Sequence, residues 1–397
     1  MQKLAIITQY FYPSSTSTGQ LMTDLVRGLI DRGYEVKVIT SGYSKTFVSA
    51  DSFNQVVVPK SPSFNLHSHS ILRKAINSLF FIASSFIQIT FQLSGTTPLL
   101  IASNPPYVGV LGLCFRLLKR GKFYFLIQDI FPESAVLSDI IKPDSFSEYF
   151  FRYLTYITCR YSQHTVVLSS SMKEFLEQKF SILKDKQNIK VIENWSIADI
   201  YPCEKQNNDF AIQHNLTNTF TVLYSGNLGR LHDIESIAKS AKLLSDRPIQ
   251  FAFIGDGPKQ KILEHYVQEN QLKNILLLPF QPRELISVSL TACDVSLVSL
   301  IEGADKIIAP CKLYGMLASG RAIVSISSPN SYIDQLITTY NCGVNCPPNQ
   351  PEQLANILNE LATDPWRVKA MGERAHQLYE KKYTFKRAIE EYEKLLF

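Results

Sequence analysis

The sequence predicts an α/β protein with two domains, each built around a parallel sheet. Three observations lead to this prediction. The chain has 397 residues, which is too long for one ordinary hydrophobic core. Short apolar runs alternate with segments of helical periodicity, as they do in β-α-β units. The alternation is interrupted by the polar segment 203–219 and then starts again.

The first half contains six predicted strands. "KLAIITQYF" and "EVKVIT" flank the segment "TGQLMTDLVRGLIDRGY", in which Leu21, Leu25 and Leu29 recur at helical spacing. Strand, helix and strand in close succession indicate a right-handed crossover and a parallel sheet. The remaining strands are "PLLIASNPP", "KFYFLIQDI", "HTVVLSS" and "IKVIEN".

The second half repeats this plan. Its predicted strands are "FTVLYSGN", "IQFAFIGDG", "NILLLPF", "DVSLVSL", "AIVSIS" and "CGVNCPP". We therefore expect a first domain at residues 1–202 and a second at 203–378, with the segment 203–219 as the linker. Residues 379–397 contain a charged helix with an apolar stripe, which we expect to pack back on the first domain.

One long segment of the first half carries no charge. From Ala75 to Phe115 the sequence contains no Lys, Arg, Asp or Glu, and residues 75–93 are about as long as a membrane span. Ser85 and Gln88 nevertheless share one helical face, so the segment is amphipathic with a neutral polar side. Three interpretations stay open: a helix packed in the domain, a helix at a membrane interface, and a transmembrane helix.

The net charge of +5 is concentrated in the first half. Residues 1–200 contain 20 Lys and Arg against 14 Asp and Glu, and the remainder contains 20 against 21. This imbalance fits an anionic partner of the first half, such as a membrane surface or a phosphate-bearing lipid, and it also fits ordinary surface variation. No Lys/Arg-rich tract indicates a nucleic-acid partner.

The cysteines and the first residues favour a cytoplasmic protein. Seven scattered cysteines give no disulfide framework, and no His or further Cys stands near Cys342 and Cys346 to complete a metal site. We expect a reduced loop there and no bound metal. The start "MQKLAIITQYFYP" lacks the apolar region and the cleavage site of a signal peptide.

Three turns that contain glycine or proline directly follow strands of the second half. The first contains Gly226, Asn227 and Gly229 and leads to Arg230; the second contains Gly255; the third is the stretch "IAPCKLYGMLASGRAIV". In open α/β sheets, ligands bind beyond the carboxyl ends of the strands. Glycines at such turns let phosphate oxygens approach the backbone closely, so the three turns together predict an anion site.

Lys312 is the most informative residue of the third turn. Pro310 and Gly320 frame a short helix over about residues 310–319, with Lys312 in its first turn. A cation there opposes the helix dipole at a cost of about 0.3–1 kcal/mol unless an anion joins it. Arg230 is expected at a second helix start, and a diphosphate would supply the charge that both positions lack. The turns match neither a dinucleotide fingerprint nor a Walker loop.

These segments together resemble the family 4 glycosyltransferases, which have the GT-B fold of two facing Rossmann-like domains with a deep cleft between them. The resemblance spans nearly the whole chain and includes "TQYFYP", "SNPP", "QDIFPES", "YSGNLGR", "FIGDGP" and "APCKLYGMLASGRAIV". Within the family, the chain is similar to the enzymes of capsule, colanic-acid-type and O-antigen polysaccharide biosynthesis. Such enzymes transfer a sugar from a nucleotide diphosphate and retain its anomeric configuration.

The resemblance implies roles for the residues that match its motifs. Arg230 and Lys312 would hold the donor diphosphate, the base would lie near Pro279 and Phe280, and no metal is expected because cations replace it. Gly19 would approach the transferred sugar or the phosphates from the first domain. The turns and the resemblance together predict a set of nucleotide-sugar-binding residues, which are Gly19, Gly226, Asn227, Gly229, Arg230, Gly255, Pro279, Phe280, Glu302 and Lys312.

The sequence departs from the family pattern at two places. Many members have two glutamates with seven residues between them, and the later one binds the ribose, but Ile307 and Gly315 occupy these positions here. Glu302 and Asp305 in the preceding loop are the candidates for a ribose contact. Gln128 stands where many relatives have a histidine, so a histidine near the sugar is not expected from that position.

Asp129 and Glu133 follow a predicted strand of the first half. A carboxylate there accepts the proton of the acceptor hydroxyl or holds sugar hydroxyls; the alternative is an ordinary turn or helix-capping acid. In the family mechanism the leaving diphosphate itself helps to remove the proton, so the protein chiefly stabilises that group. We interpret His232 and Asp233 as surface helix positions, with contact of one of them to the phosphates as the alternative. We interpret Trp195 as a core residue, with packing at the hinge between the domains as the alternative.

The expected function is transfer of a sugar from a nucleotide-diphosphate donor, with UDP favoured by the family. The acceptor is a glycan or a lipid-linked sugar, such as a polyprenyl diphosphate sugar, at the inner face of the plasma membrane. Two alternatives remain. One is a non-catalytic nucleotide-sugar-binding partner subunit, which the missing glutamates motivate, and the other is a nucleotide-sugar epimerase of the same fold.

Overall fold

In residues 2–14, 16–41 and 71–397, which the computed structural model describes, the alternating pattern forms two parallel sheets. All twelve predicted strands are present, so the α/β prediction is confirmed. The strands are β1 (Lys3–Ile7), β2 (Glu35–Ile39), β3 (Leu99–Ala102), β4 (Phe123–Leu126), β5 (Thr165–Val167), β6 (Ile189–Val191), β7 (Phe220–Ser225), β8 (Ile249–Ile254), β9 (Ile275–Leu278), β10 (Val295–Ser299), β11 (Ala322–Ile326) and β12 (Gly343–Cys346).

The helices between the strands begin in several cases at short polar side chains that cap the first turn. Thr16 accepts a hydrogen bond from Gly19 N, and Asp233 accepts one from Ser236 N at 3.0 Å. The helices are α1 (Ser17–Asp31), α2 (Ile71–Gln92), α3 (Val110–Lys119), α4 (Glu133–Leu137), α5 (Phe146–Tyr161), α6 (Ser170–Lys179), α7 (Ser181–Lys186), α8 (Asp209–Gln213), α9 (Ile234–Leu243), α10 (Gln260–Glu269), α11 (Ile286–Leu290), α12 (Lys312–Ala318), α13 (Tyr332–Thr339), α14 (Pro351–Thr363), α15 (Pro365–Leu378) and α16 (Phe385–Leu396).

Each sheet has six strands and a doubly wound order. The order is β2-β1-β3-β4-β5-β6 in the first sheet and β12-β11-β10-β7-β8-β9 in the second. In the second sheet the chain winds outward from β7 to β9 and then in the opposite direction from β10 to β12. The switch point therefore lies between β7 and β10, and in the first sheet it lies between β1 and β3.

The core of the second sheet has two sides, as expected for a parallel sheet covered by helices on both faces. Alternate side chains of β7 point to opposite sides. Val222 and Tyr224 pack in one cluster with Ile237 of α9, and Leu223 packs in the other with Leu290 of α11. This packing fixes the direction in which the loop after β7 leaves the sheet.

The described chain divides into two units. Unit 1 contains the residues up to Glu193 together with Ile307–Ala309 and Lys386–Phe397, and unit 2 contains Asn194–Lys306 and Pro310–Phe385. The division after Glu193 comes earlier than the expected boundary after residue 202. The chain returns to unit 1 at α16, where Arg32 forms ion pairs with Glu390 and Glu393 and the Tyr34 ring stacks on Phe397 at 4.0 Å.

The polar segment 203–219, which we expected to be a linker, is folded within unit 2, so that prediction is wrong. Lys205 is buried; its ammonium donates to the Thr219 carbonyl at 2.7 Å and forms an ion pair with Asp294. Asn208 caps α8 and is also buried. The polar composition suggested an exposed linker, but the polar side chains of this segment form hydrogen bonds and an ion pair inside the protein.

Two further expectations concern single elements. Trp195 is buried against Phe385, with 5.7 Å between the ring centroids, so the prediction of core packing is confirmed. The uncharged segment 75–93 falls almost entirely in α2. Among the described helices, none combines the length and the apolar character needed to cross a bilayer.

Candidate active site

The switch point of the second sheet brings three loops to one edge. They follow β7, β8 and β10 and contain residues 226–233, 255–259 and 300–311. At a switch point, the loops of neighbouring strands leave in opposite directions and open a crevice for a ligand. Most residues that the sequence singles out in the second half lie in these loops.

Gly226 and Gly255 allow the first two loops to touch. Their φ angles are +130° and +142°, which side chains rarely adopt, and a Cβ on Gly255 would lie 2.1 Å from the Gly226 oxygen. Both amides are already used: Gly226 N donates to the Ile254 carbonyl at 2.8 Å and Gly255 N to the Leu278 carbonyl at 2.9 Å. These two glycines therefore allow the two loops to pack closely on each other, and their amides are not available as donors to a ligand.

The next residues extend the contact between the two loops. Leu228 N donates to the Asp256 carbonyl at 2.9 Å, and a Cβ on Gly257 would lie 2.5 Å from Asn227 Oδ1. Gly229 is buried below the loop, whereas Asn227 is exposed. The Asn227 side chain is therefore accessible at the edge of the sheet, whereas Gly229 lets the loop pack closely on its neighbours.

Lys312 is the first residue of α12 and reaches across to β7. Its Nζ lies 2.6 Å from the Tyr224 hydroxyl and 3.8 Å from the centroid of the Tyr224 ring. Tyr224 donates its own hydroxyl hydrogen to the Asn227 carbonyl at 2.9 Å. The residue is partly exposed, but burial of its ammonium lowers the pKa to about 7. In the described chain no carboxylate pairs with this cation.

The helix around Lys312 is shorter than expected. Cys311 is its N-cap residue and the helix begins at Lys312, so the predicted start at Pro310 is wrong by two residues. The prediction for Arg230 is wrong in the same sense, because α9 begins only at Ile234 behind the Asp233 cap. Arg230 lies in the turn before that cap, is exposed, and forms no ion pair within the described residues.

His232 and Asp233 are buried, so their interpretation as surface helix positions is wrong. Burial, followed by the nearby Lys312 charge, lowers the pKa of His232 to about 3. The neutral ring donates from Nδ1 to the Ser299 carbonyl at 2.6 Å, which leaves Nε2 as an acceptor. Asp233 caps α9 and also accepts a hydrogen bond from Asn349 N at 2.9 Å.

An exposed aromatic ring borders the glycine loops. Phe280 is 56% exposed, and a Cβ on Gly255 would lie 3.4 Å from its Cε1. Pro279 beside it is also exposed. A flat apolar ring at the rim of a polar crevice is a stacking surface for a planar group such as a nucleobase.

The positions of the missing glutamates are occupied by packed residues. Ile307 is buried, and a Cβ on Gly315 would lie 3.1 Å from Leu290 Cδ1, so little space is left for a longer side chain. Asp305 is buried and accepts a hydrogen bond from Ser328 at 2.6 Å. Glu302 is exposed in the loop after β10, which makes it the freer of the two ribose candidates.

In unit 1, Gly19 lies in the first turn of α1. Its amide donates to Thr16 Oγ1 at 3.2 Å, and a Cβ on Gly19 would lie 2.8 Å from Ser14 Cβ. The loop between β1 and α1 therefore packs directly on this glycine. The N-terminus of α1 thus lies at the switch point of the first sheet.

The two acids after β4 have different surroundings. Burial of its carboxyl group away from water raises the pKa of Asp129 to about 6, although other parts of the residue are exposed to solvent. Asp129 also forms a β-bridge with Ile308. Glu133 begins α4 and forms ion pairs with Lys179 at 2.6 Å and with Arg152 at 3.4 Å. The charge of Glu133 is therefore balanced by two cations, whereas Asp129 is the acid with a raised pKa.

Family comparisons cover both halves of the chain. A family described as "Glycosyltransferase Family 4" matches residues 18–195, and one described as "Glycosyl transferases group 1" matches residues 205–378. The chain belongs to the family 4 glycosyltransferases. The resemblance stated from the motifs is therefore confirmed.

Two relatives align with this glycosyltransferase over most of its length. WbjE of Pseudomonas aeruginosa, assigned as a glycosyltransferase, is 25% identical over 369 residues, which cover 91% of this chain and 90% of WbjE. WcaI of Escherichia coli K12, assigned as a glycosyltransferase of colanic acid biosynthesis, is 24% identical over 362 residues, which cover 85% and 86% of the two chains.

Solved structures confirm the GT-B fold of the glycosyltransferase. Sucrose-phosphate synthase from Thermosynechococcus elongatus matches with a TM-score of 0.80 at 14% identity, covering 100% of this chain and 98% of that one. HepE of Anabaena, solved in complex with UDP, matches with a TM-score of 0.71 at 15% identity, covering 100% and 99%.

Two residues that hold side chains of the glycosyltransferase site in place were not predicted from the sequence. Tyr224 looks like an ordinary strand residue, yet its ring and hydroxyl hold Lys312. Ser299 ends β10, and its carbonyl fixes the His232 tautomer. Their positions in the sequence could have indicated them, because Tyr224 and Ser299 lie at the carboxyl ends of the two strands that flank the switch point.

Proposed function

We propose that this glycosyltransferase transfers a sugar from a nucleotide-diphosphate donor, and that the donor is a UDP-sugar. The observation that carries the proposal is Lys312, a cation without a carboxylate partner in the described chain, held over Tyr224 beside Gly226. HepE, which shares the fold, was solved with UDP and with UDP-glucose, and this favours the uridine nucleotide.

The proposed role of Lys312 and Arg230 is to stabilise the departing diphosphate. Negative charge grows on this group as the sugar leaves, and fixed cations near it lower the barrier more than they stabilise the bound donor. The phosphates would bind beside Lys312 at the loops that Gly226 and Gly255 bring together, and Phe280 would provide a face for the base. Glu302 is the proposed ribose contact because it is exposed in the same set of loops.

We further propose retention of configuration, with attack of the acceptor on the face from which the diphosphate leaves. The leaving diphosphate then takes the hydroxyl proton. Asp129 would orient the acceptor hydroxyl, since a carboxyl with a pKa of about 6 exchanges protons close to neutral pH. Gly19, in the first turn of α1, would approach the transferred sugar or the phosphates. The cations Lys312 and Arg230 replace a divalent metal in this scheme.

The proposed acceptor is a glycan or a lipid-linked sugar, such as a polyprenyl diphosphate sugar, used in cell-surface polysaccharide biosynthesis. Support comes from WcaI, whose assigned role is colanic acid biosynthesis, and from the excess of 20 basic over 14 acidic residues in positions 1–200. A lipid-linked acceptor requires the enzyme to work at the cytoplasmic face of the membrane as a peripheral protein.

Donor binding tests the proposal directly. UDP-glucose affinity is measured by calorimetry for the wild type, Lys312→Met and Arg230→Ala, with Lys239→Ala as the control. Lys239 is an exposed lysine of α9 away from the loops. Loss of a charge-assisted contact is expected to cost about 1.5–3 kcal/mol, or at least tenfold in affinity. Unchanged affinity in both site variants would refute the assignment of the diphosphate.

Turnover distinguishes the enzyme from the two alternatives. Transfer from labelled UDP-sugars to lipid-linked acceptors is expected for the isolated protein. Donor binding without any transfer would favour the partner subunit, and release of an altered sugar without an acceptor would favour the epimerase.

A further inference from the structure

The outer face of α2 is apolar, while its inner face carries polar side chains. Ser78, Ser85 and Gln88 are buried, and Gln9 Nε2 donates to Ser78 Oγ at 3.2 Å. The exposed large side chains of the same helix are Ile76, Leu79, Phe80, Phe86, Ile87 and Phe91. Phe81 and Ile89 are also buried, so α2 has apolar side chains on both faces, whereas a helix that faces water has a polar outer side.

The exposed residues of α2 form one continuous stripe. They recur at intervals of three, four or seven residues, which keeps them on one side of the helix. Phe91 is 80% exposed and Leu79 is 60% exposed. Single apolar residues on a surface are common, but a contiguous patch of this kind marks an interaction site.

Two neighbouring helices extend the patch. Helix α3 packs against both α2 and α5, so the three helices lie side by side. On α3, Leu117 is 82% exposed, and Leu118 beside it is also exposed. The exposed aromatic residues of α5 are Phe146, Tyr149, Phe150, Tyr153 and Tyr161. We call the exposed apolar residues of α2, α3 and α5 the outer helix face.

The charges on the three helices of the outer helix face are mostly positive, and the exposed Asp144 just before α5 accepts a hydrogen bond from Tyr149 at 3.2 Å. The sequence of the three helices contains a single acid, Glu148, which is buried and paired with Arg152. Basic residues cluster where α3 and α5 end: Arg116 donates to the Tyr161 carbonyl at 3.2 Å, and Lys186 donates to the Arg160 carbonyl. Within the described chain, the basic residues without an ion pair here are Arg116, Lys119, Arg120, Lys122, Arg160 and Lys186.

We propose that the outer helix face seats in the headgroup region of an anionic lipid bilayer, with α2 lying along the membrane plane. The inference rests on the proposed lipid-linked acceptor and identifies the surface by which the enzyme reaches it. Apolar side chains enter the boundary between headgroups and acyl chains, the tyrosines lie at headgroup level, and the basic cluster contacts lipid phosphates.

The charge pattern favours a bilayer over a second copy of this chain. A twofold dimer through the outer helix face would bring the same surface together twice and would oppose basic clusters without acids to neutralise them. A bilayer that contains acidic lipids supplies negative charge along the whole rim. Aromatic residues with a polar tip, such as the tyrosines of α5, are typical of membrane interfaces.

Vesicle flotation tests the proposal with the full chain. The probes are vesicles of phosphatidylcholine with and without phosphatidylglycerol. The apolar variant carries Leu79→Ser, Ile87→Ser and Phe91→Ser, and its matched control carries Leu243→Ser, Ile262→Ser and Leu285→Ser, which are exposed apolar residues of unit 2. The charge variant carries Lys119→Gln, Arg120→Gln and Lys122→Gln, with Lys239→Gln, Lys261→Gln and Lys273→Gln as its control.

We expect the wild type and both controls to float with the acidic vesicles. The apolar variant should lose at least tenfold in vesicle affinity, and the charge variant should lose about fivefold per removed charge and only with acidic vesicles. Wild-type protein that does not bind acidic vesicles, or variants that bind as the controls do, would overturn the proposal. A dimer in sedimentation that the apolar variant dissociates would assign the face to a second copy instead.

The same samples are tested for UDP-glucose binding. The outer helix face contains none of the donor-site residues, so all variants should bind the donor as the wild type does. Intact donor binding without flotation rejects the membrane surface alone, whereas flotation without donor binding rejects the proposed function alone.

Discussion

At the residue scale, Lys312 combines three properties that rarely occur together. It begins a helix, where the dipole disfavours a cation. Its ammonium lies on the Tyr224 ring, which favours a cation. Burial lowers its pKa to about 7, so near neutral pH it exists in both charge states. A bound diphosphate would favour the protonated form, so that Lys312 would carry a full positive charge.

Donor affinity should therefore fall as the pH rises above 7. The free enzyme loses the Lys312 proton above its pKa of about 7, and binding of the diphosphate must then recover a proton. The expected decrease in affinity is up to about tenfold per pH unit above that value. Calorimetry with UDP-glucose checks this, since its diphosphate does not titrate in this range. Lys312→Met should bind weakly and independently of pH; an equally steep decrease in that variant would assign the titration elsewhere.

The same pKa has an opposite effect on folding without donor. In the unfolded chain Lys312 titrates near 10.5, so between about 7 and 10.5 the unfolded state binds more protons than the folded state. The contribution of Lys312 to the free energy of unfolding therefore increases with pH across this window. Burying the charged form disfavours the fold below it. The ligand site is thus formed at some expense of local stability, as functional sites often are.

At the element scale, the loops of unit 2 meet through glycines. Gly226 and Gly255 have positive φ angles, and their amides continue the hydrogen bonds of the sheet beyond the strand ends. These hydrogen bonds hold the first residues of both loops against the sheet although the loops contain no regular structure. The same edge of the sheet presents Lys312, Arg230 and Phe280, the residues proposed to bind the donor.

Gly255→Ala should destabilise the protein and abolish donor binding. The new Cβ would lie 2.1 Å from the Gly226 oxygen, and the φ of +142° is strained for alanine. We expect a loss of about 2–4 kcal/mol in the free energy of unfolding, measured in urea. Gly33→Ala is the matched control, because its φ is +88° but nothing lies within 4 Å of the new Cβ. It should cost about 1 kcal/mol. Equal costs would show that the contact is unimportant.

The folded segment 203–219 gives a second prediction at this scale. Lys205→Met leaves Asp294 without its cation and the Thr219 carbonyl without its donor. Because Asp294 is only partly buried, the expected loss is about 2–3 kcal/mol in the free energy of unfolding. Lys3→Met, which removes an exposed ion pair with Glu35, should change it by less than about 0.5 kcal/mol. An equally small loss in the free energy of unfolding for Lys205→Met would contradict this prediction, because it would show that the buried ion pair contributes little to stability.

At the scale of the whole molecule, each unit contains one doubly wound sheet, and each sheet has a switch point with glycine-dependent loops. The chain crosses from unit 1 to unit 2 after Glu193 and returns at α16. The residues proposed for the donor diphosphate all belong to unit 2, whereas Asp129 and the outer helix face belong to unit 1. The proposal therefore assigns binding of the donor to unit 2 and contact with the acceptor to unit 1.

Transfer should not need a divalent metal. In the proposed mechanism, Lys312 and Arg230 supply the positive charge that a metal would otherwise give to the leaving diphosphate. Activity measured by release of UDP is expected to be the same, within about twofold, after treatment with EDTA as with added Mg²⁺ or Mn²⁺. A decrease of more than tenfold that Mg²⁺ restores would contradict the proposed role of the two cations.

The sequence by itself determined the twelve strands, the α/β class, the family and the positions of the glycine turns, because alternating apolar runs and local turn chemistry are properties of short segments. Only the tertiary structure decided the surroundings of single side chains. It buried His232 and Lys205, placed Arg230 before the helix instead of in it, and left large apolar side chains of α2 exposed on its outer side. Periodicity identifies the two faces of a helix, but the face that is buried depends on the neighbours that pack against it. Those neighbours come from distant parts of the chain.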